Sequence, residues 1–175
     1  MRLQIDVLAV VNGIIACASL AAMATDGAVS TCDPAAVDNP GFVWDPEQCA
    51  NDGVIFTISA LPMASIRDGA SNTYLVGEKY LAPDHYENGL DSADNNNAYC
   101  GYDIDINRWG PPGGYPKQDR PGVFDNNAFG SAHAGVFNMT LCDGSVRPIS
   151  YSIDTDTHAN LCNRDDHNAI DGNKF

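Results

Sequence analysis

A chain of 175 residues with 44% hydrophobic content can bury the core of one domain without metals or disulfides to hold it. Nine Lys and Arg against 23 Asp and Glu give a net charge of −14 and a pI near 4.2. That balance, with no basic run, excludes nucleic acid as a partner and suits a solvated extracytoplasmic surface, or one that attracts cations.

Residues 3–24 are apolar apart from Gln4, Asp6 and Asn12. Three readings compete. One is a secretory signal, with Ala22-Met23-Ala24 as the cleavage site before Thr25. Another is a lipoprotein signal at Ile14-Ile15-Ala16-Cys17. The third is a membrane-embedded or partner-packed helix, since about 20 residues cross a bilayer. A buried amphipathic helix or a non-native segment is the plain alternative. The expected organisation is an apolar helix or signal-like segment over 1–24 and one globular β-rich domain over 25–175. Export places the domain in the periplasm, on the cell surface or outside the cell, with membrane contact through residues 3–24.

The six cysteines are Cys17, Cys32, Cys49, Cys100, Cys142 and Cys162, and none has zinc-site spacing. In an exported protein they form disulfides. Cys32 and Cys49 flank a loop rich in Pro and Asp and are the expected pair.

Residues 25–53 carry turn dipeptides throughout. Val54 to Ile58 reads as a short strand, and Ala64 to Gly69 as a strand end and turn. Thr73 to Val76 is β-prone, and Gly77-Glu78-Lys79 breaks or bulges it. Residues 82–129 form a long polar excursion of the kind that is functional or lies on the surface. Within it, Asp103-x-Asp105-x-Asn107 puts oxygen ligands at every second position, which suits Ca²⁺. Asp91, Asp94, Asp154 and Asp156 are further donors. A solvated acidic loop is the plain alternative. Trp44, Tyr99, Tyr102, Trp109 and Tyr115 place aromatics in polar loops, either to meet a glycan or partner or to pack the loops down.

Gly130 to Tyr151 reads as a β-hairpin whose turn is Asp143-Gly144. His133 and Asp143 lie ten residues apart on an extended strand, roughly 30 Å, so they are no catalytic pair. A two-residue type I′ turn pairs Cys142 with Ser145 and sets His133 opposite Asp154. Both faces of this hairpin carry apolar residues, which predicts a hairpin covered on both sides. Ser131 lies near His133, but G-x-S-x-G is missing. Glu78-Lys79 reads as an acid–base pair or, more simply, a surface ion pair. No nucleophile, base and orienting group stand together, so the chain is read as not an enzyme.

Three stretches carry a family resemblance. They are Ile66-Arg-Asp68-Gly-Ala-Ser-Asn-Thr-Tyr-Leu-Val-Gly77-Glu78-Lys79, then His133-x9-Asp143-Gly144, then Leu161-Cys-Asn163-Arg164-Asp165-Asp166. In order and spacing they resemble a planctomycete family of prepilin-like proteins, the domain of unknown function 1559, over about residues 53–172. The prepilin opening, Gly-Phe-Thr-Leu-x-Glu before a long apolar helix, has no match here. The resemblance implies an α+β fold: an N-terminal apolar helix, then a pseudopilin-like antiparallel sheet domain with long loops. It implies a non-enzymatic, exported component of type II secretion or of a surface filament. The partners would be copies of itself or secretion-system subunits. The alternative is an extracytoplasmic module binding Ca²⁺ or carbohydrate.

Overall fold

The computed structural model describes residues 14–18 (backbone only), 52–55, 61–95 and 104–172. Among the described residues, seven strands and one α-helix make a mixed α+β fold: β1 Ile14–Ala18, β2 Tyr74–Glu78, β3 Asn107–Trp109, β4 Lys117–Gln118, β5 Gly130–Ser131, β6 Val136–Leu141, β7 Val146–Ser150 and α1 Thr155–Cys162. Five strands form one sheet in the order β3-β1-β2-β6-β7, and β4 and β5 form a separate parallel pair. The large sheet is antiparallel except between β1 and β3.

The expected N-terminal helix is corrected over its described part. Ile14–Ala18 is a strand with neighbours on both sides, β2 and β3. β-Branched Ile14 and Ile15 suit that setting. The rest of the segment lies outside the described residues, as do Cys32, Cys49 and Asp103. Val54 and Ile55 are not in a strand; they help form a small cluster with Ile66 and Cys142. β2 continues through Gly77 to Glu78, and its irregularity comes earlier, between Tyr74 and Val76.

The hairpin is present, but its turn has three residues rather than two. Gly144 N–H donates to Leu141 O at 2.9 Å, and Leu141 N–H donates to Ser145 O at 2.9 Å. Gly144 has φ +85°, and Asp143 is not among the positive-φ residues. This is a type I turn closed by a left-handed glycine, not type I′. The register shifts by one, so Phe137 faces Ile149 and Met139 faces Arg147. Asp143 stabilises the turn through its side chain, which accepts from Ser145 N–H at 2.8 Å and Ser145 Oγ at 2.6 Å.

The shift gives the hairpin one buried face instead of two covered ones. Phe137, Met139 and Leu141 alternate inward and join Tyr74, Phe129, Ile149, Leu161 and Cys162 in the main core. Each such side chain contributes roughly 1.5–3 kcal/mol by leaving water. Val146 stays exposed, and β7 is an edge strand among the described residues.

α1 follows the hairpin. Asp154 caps it, accepting from Thr157 N–H at 3.0 Å and Thr157 Oγ1 at 2.9 Å. Thr157, His158, Leu161 and Cys162 form its buried stripe.

Candidate functional site

All three motif stretches meet along residues 66–79, which run the length of the hairpin. At the turn end, Cys142 N–H donates to Thr73 O at 2.9 Å and Asp143 N–H to Ala70 O at 3.0 Å. The third stretch docks at the same end. The buried Asp68 carboxylate accepts from the N–H groups of Asp166 and His167, both at 2.8 Å. Arg164 O accepts from Arg67 N–H at 2.8 Å and Asp68 N–H at 3.2 Å. Arg67 and Asp165 add an exposed ion pair at 3.0 Å.

The open end is organised by Gly77-Glu78-Lys79. Gly77 lies opposite Met139, and a Cβ there would run into the Met139 thioether and sit 3.1 Å from the Phe129 ring. Continuing that register would set residue 78 against 138. There β2 leaves β6 and Lys79 bridges to Phe129 instead. The Glu78 carboxylate takes over the rung: Oε2 accepts from Asn138 N–H at 2.7 Å and from Asn138 Nδ2 at 3.2 Å. Its other oxygen, Oε1, lies 3.4 Å from His133 Nε2.

Lys79 points to the opposite side of the strand. Its buried ammonium donates to Ala93 O at 2.8 Å, Asp94 Oδ1 at 2.5 Å and Asp105 O at 3.3 Å. It therefore fastens the polar excursion to the sheet and is not a surface ion pair. Asp91 works the same way, accepting from Ala82 N–H and Ala93 N–H, both at 2.9 Å. Asp105 and Asn107 are themselves buried. Among the described residues, no three His, Cys, Asp or Glu side chains are grouped to hold a metal.

His133 and Asp154, expected to face each other, are not partners. The three-residue turn moves the register, the ladder begins at Val136, and Asp154 caps α1. The exposed His133 ring meets Glu78 instead, while its backbone is held by Ser131 and Tyr151. His133 N–H donates to Ser131 Oγ at 3.1 Å, and the Tyr151 hydroxyl lies 3.0 Å from Ser131 O and 3.1 Å from His133 O. Burial raises the Tyr151 pKa; Ser131 opposes the shift, and the charges of Asp119 and Glu78 add to it. Ser131 Oγ contacts the main chain of His133 and the Tyr151 hydroxyl, an arrangement that does not activate a nucleophile.

A second knot lies nearby. The Tyr86 hydroxyl donates to Asp119 Oδ2 at 2.5 Å, and Asp119 Oδ1 accepts from Leu81 N–H at 3.2 Å. Burial raises the pKa of both groups; for Tyr86 the Asp119 bond and charge raise it further. Tyr86, Leu90, Val123 and Phe124 stand exposed on these loops, and Tyr115 is exposed on another, whereas Trp109 is buried. Cys142 and Cys162 are buried free thiols.

The structural roles of Asn138, Tyr151, Asp91 and Asp68 escaped the sequence reading, which gave Asp91 only as an oxygen donor and Asp68 only within a turn and a motif. Asp68 alone had a signal, as the acidic residue that opens a turn before Gly69. The described residues contain no helix long and apolar enough to cross a membrane.

A family model described as protein of unknown function (DUF1559) matches residues 22–156. No curated protein and no solved structure matches the chain.

Proposed function

The chain belongs to the family of proteins of unknown function DUF1559, and from that premise we propose that it is a non-enzymatic, exported, pseudopilin-like protein of a secretion system or surface filament. One observation carries the non-enzymatic part: four motif side chains spend their polar groups on bonds within the chain. Asp68 holds the C-terminal stretch, Glu78 replaces a ladder rung, Lys79 fastens the excursion and Asp143 closes the turn. A catalytic set needs polar groups converging on a space where substrate can sit.

Edge chemistry bears on how copies associate. Asn138 turns its N–H toward β2, so Pro148 opposite it directs its nitrogen to the open edge of β7. Proline offers no donor there, which opposes strand addition at β7. Assembly then proceeds through side-chain faces.

Sedimentation velocity and negative-stain microscopy of the full chain test the reading. Discrete oligomers or filaments are expected. A monomer at every concentration, or hydrolytic turnover abolished by His133→Ala in a folded variant, overturns it.

The carbohydrate-binding alternative has one observation in its favour. Tyr86 and Phe124 are exposed on loops locked together by Tyr86–Asp119, by Asp84 accepting from Gly122 N–H at 2.5 Å, and by the His85 and Phe124 rings 5.4 Å apart. Calorimetric titration with neutral hexasaccharides of glucose, mannose and xylose tests it, with heat lost in Phe124→Ala. For Ca²⁺, the Lys79 ammonium already supplies positive charge among Asp94 and the Asp105 carbonyl.

A further inference from the structure

α1 covers the inner face of the sheet, and His158 stands at the middle of its buried stripe, 1% exposed. Its ring lies 5.5 Å from Tyr74, 6.1 Å from Phe129 and 6.0 Å from Phe137, the two Phe rings nearly perpendicular to it. Among the described residues, neither imidazole nitrogen has a hydrogen-bond partner. A neutral imidazole tolerates such a box as an aromatic ring. An imidazolium there would be a buried charge with no counterion, which is far more costly.

Among the described residues, the groups facing it are few. β2 presents the Tyr74 phenol, and Phe129 and β6 present only phenylalanine rings. On α1 itself, the Asp154 carboxylate is committed to the cap, and Cys162 is a neutral neighbour one turn on. Burial alone pushes the His158 pKa down, to about 4, with no charged group contributing.

We propose that α1 is an acid-released latch: protonation of His158 lifts the helix from the sheet and uncovers the apolar face formed by Tyr74, Phe129 and Phe137. The helix has only eight residues, and the strands beneath are held by their own ladders. Local opening is therefore the cheaper response. Backbone bonds from Arg67 and Asp68 to Arg164 O keep the segment after α1 attached, so the latch can close again. The proposal does not depend on the assembly reading.

Amide exchange of the full chain, corrected for intrinsic rates, tests it between pH 7.5 and 4, alongside binding of an apolar fluorescent dye. Opening of α1 should rise about tenfold per pH unit below about 6.5, reaching at least 100-fold near pH 4, while β2 and β6 stay protected. Dye fluorescence should rise in parallel. His158→Phe should keep α1 closed throughout; His158→Met serves if the larger ring prevents folding. Full protection of α1 at pH 4 would overturn the proposal. So would opening of both variants at the wild-type pH, or loss of α1 and sheet protection together.

Discussion

Lys79→Met removes a buried ammonium while keeping most of the stem that packs around it. Three acceptors lose their donor. Ala93 O and Asp105 O sit at buried positions, and each unmatched carbonyl costs about 1–3 kcal/mol. Asp94 is 45% exposed, so water replaces its partner and adds little. The expected loss is about 2–6 kcal/mol, a large share of the 5–15 kcal/mol typical of a domain. In urea, with an m-value of about 2 kcal/mol/M, the midpoint should fall by about 1–3 M. Tryptophan fluorescence reports it, because Trp109 is buried within the excursion. Asp94→Asn should cost less than about 1 kcal/mol. A Lys79→Met midpoint equal to wild type would refute the claim that this side chain fastens the excursion.

Gly130→Ala should destabilise by more than about 2 kcal/mol in the same assay, because its Cβ would strike the Lys117 carbonyl and the Tyr80 backbone. Gly77→Ala should cost less, since Met139 can move its thioether. At the hairpin turn, Asp143→Gly should destabilise through loss of the Ser145 bonds; a type I′ turn would gain stability from the same change. Burial, reinforced by the Asp143 charge, pushes the Cys142 thiol up from 9.0 to about 12. Raising pH through 8 should therefore leave it protonated, with a thiolate fraction of about 10⁻⁴. Iodoacetamide labelling followed by peptide mass mapping should find it about a thousandfold slower than an ordinary thiol.

How much was legible follows from range. The hairpin, the strand entering Gly77 and the order of the three motifs depend on local turn chemistry and alternation, and they are visible in the residues. The one-residue register error at Asp143-Gly144 came from a dipeptide that closes both two- and three-residue turns. That error misplaced His133, because every pair down the ladder inherits it. Glu78 against Asn138 and Lys79 against Ala93 are long-range meetings without a local signal. β1 was hidden because Ile-Ile-Ala-Cys-Ala is apolar without a period that separates helix from buried strand.

The central claim is that Glu78 joins two motif stretches by standing in for a ladder rung, and the exchange rate of the Asn138 amide tests it most directly. In Glu78→Ala that amide should exchange at least about tenfold faster, equivalent to about 1.4 kcal/mol, while Met139 and Leu141 keep their protection. Glu78→Gln, which retains an acceptor, should fall between. An Asn138 amide equally protected in Glu78→Ala and wild type would contradict the account.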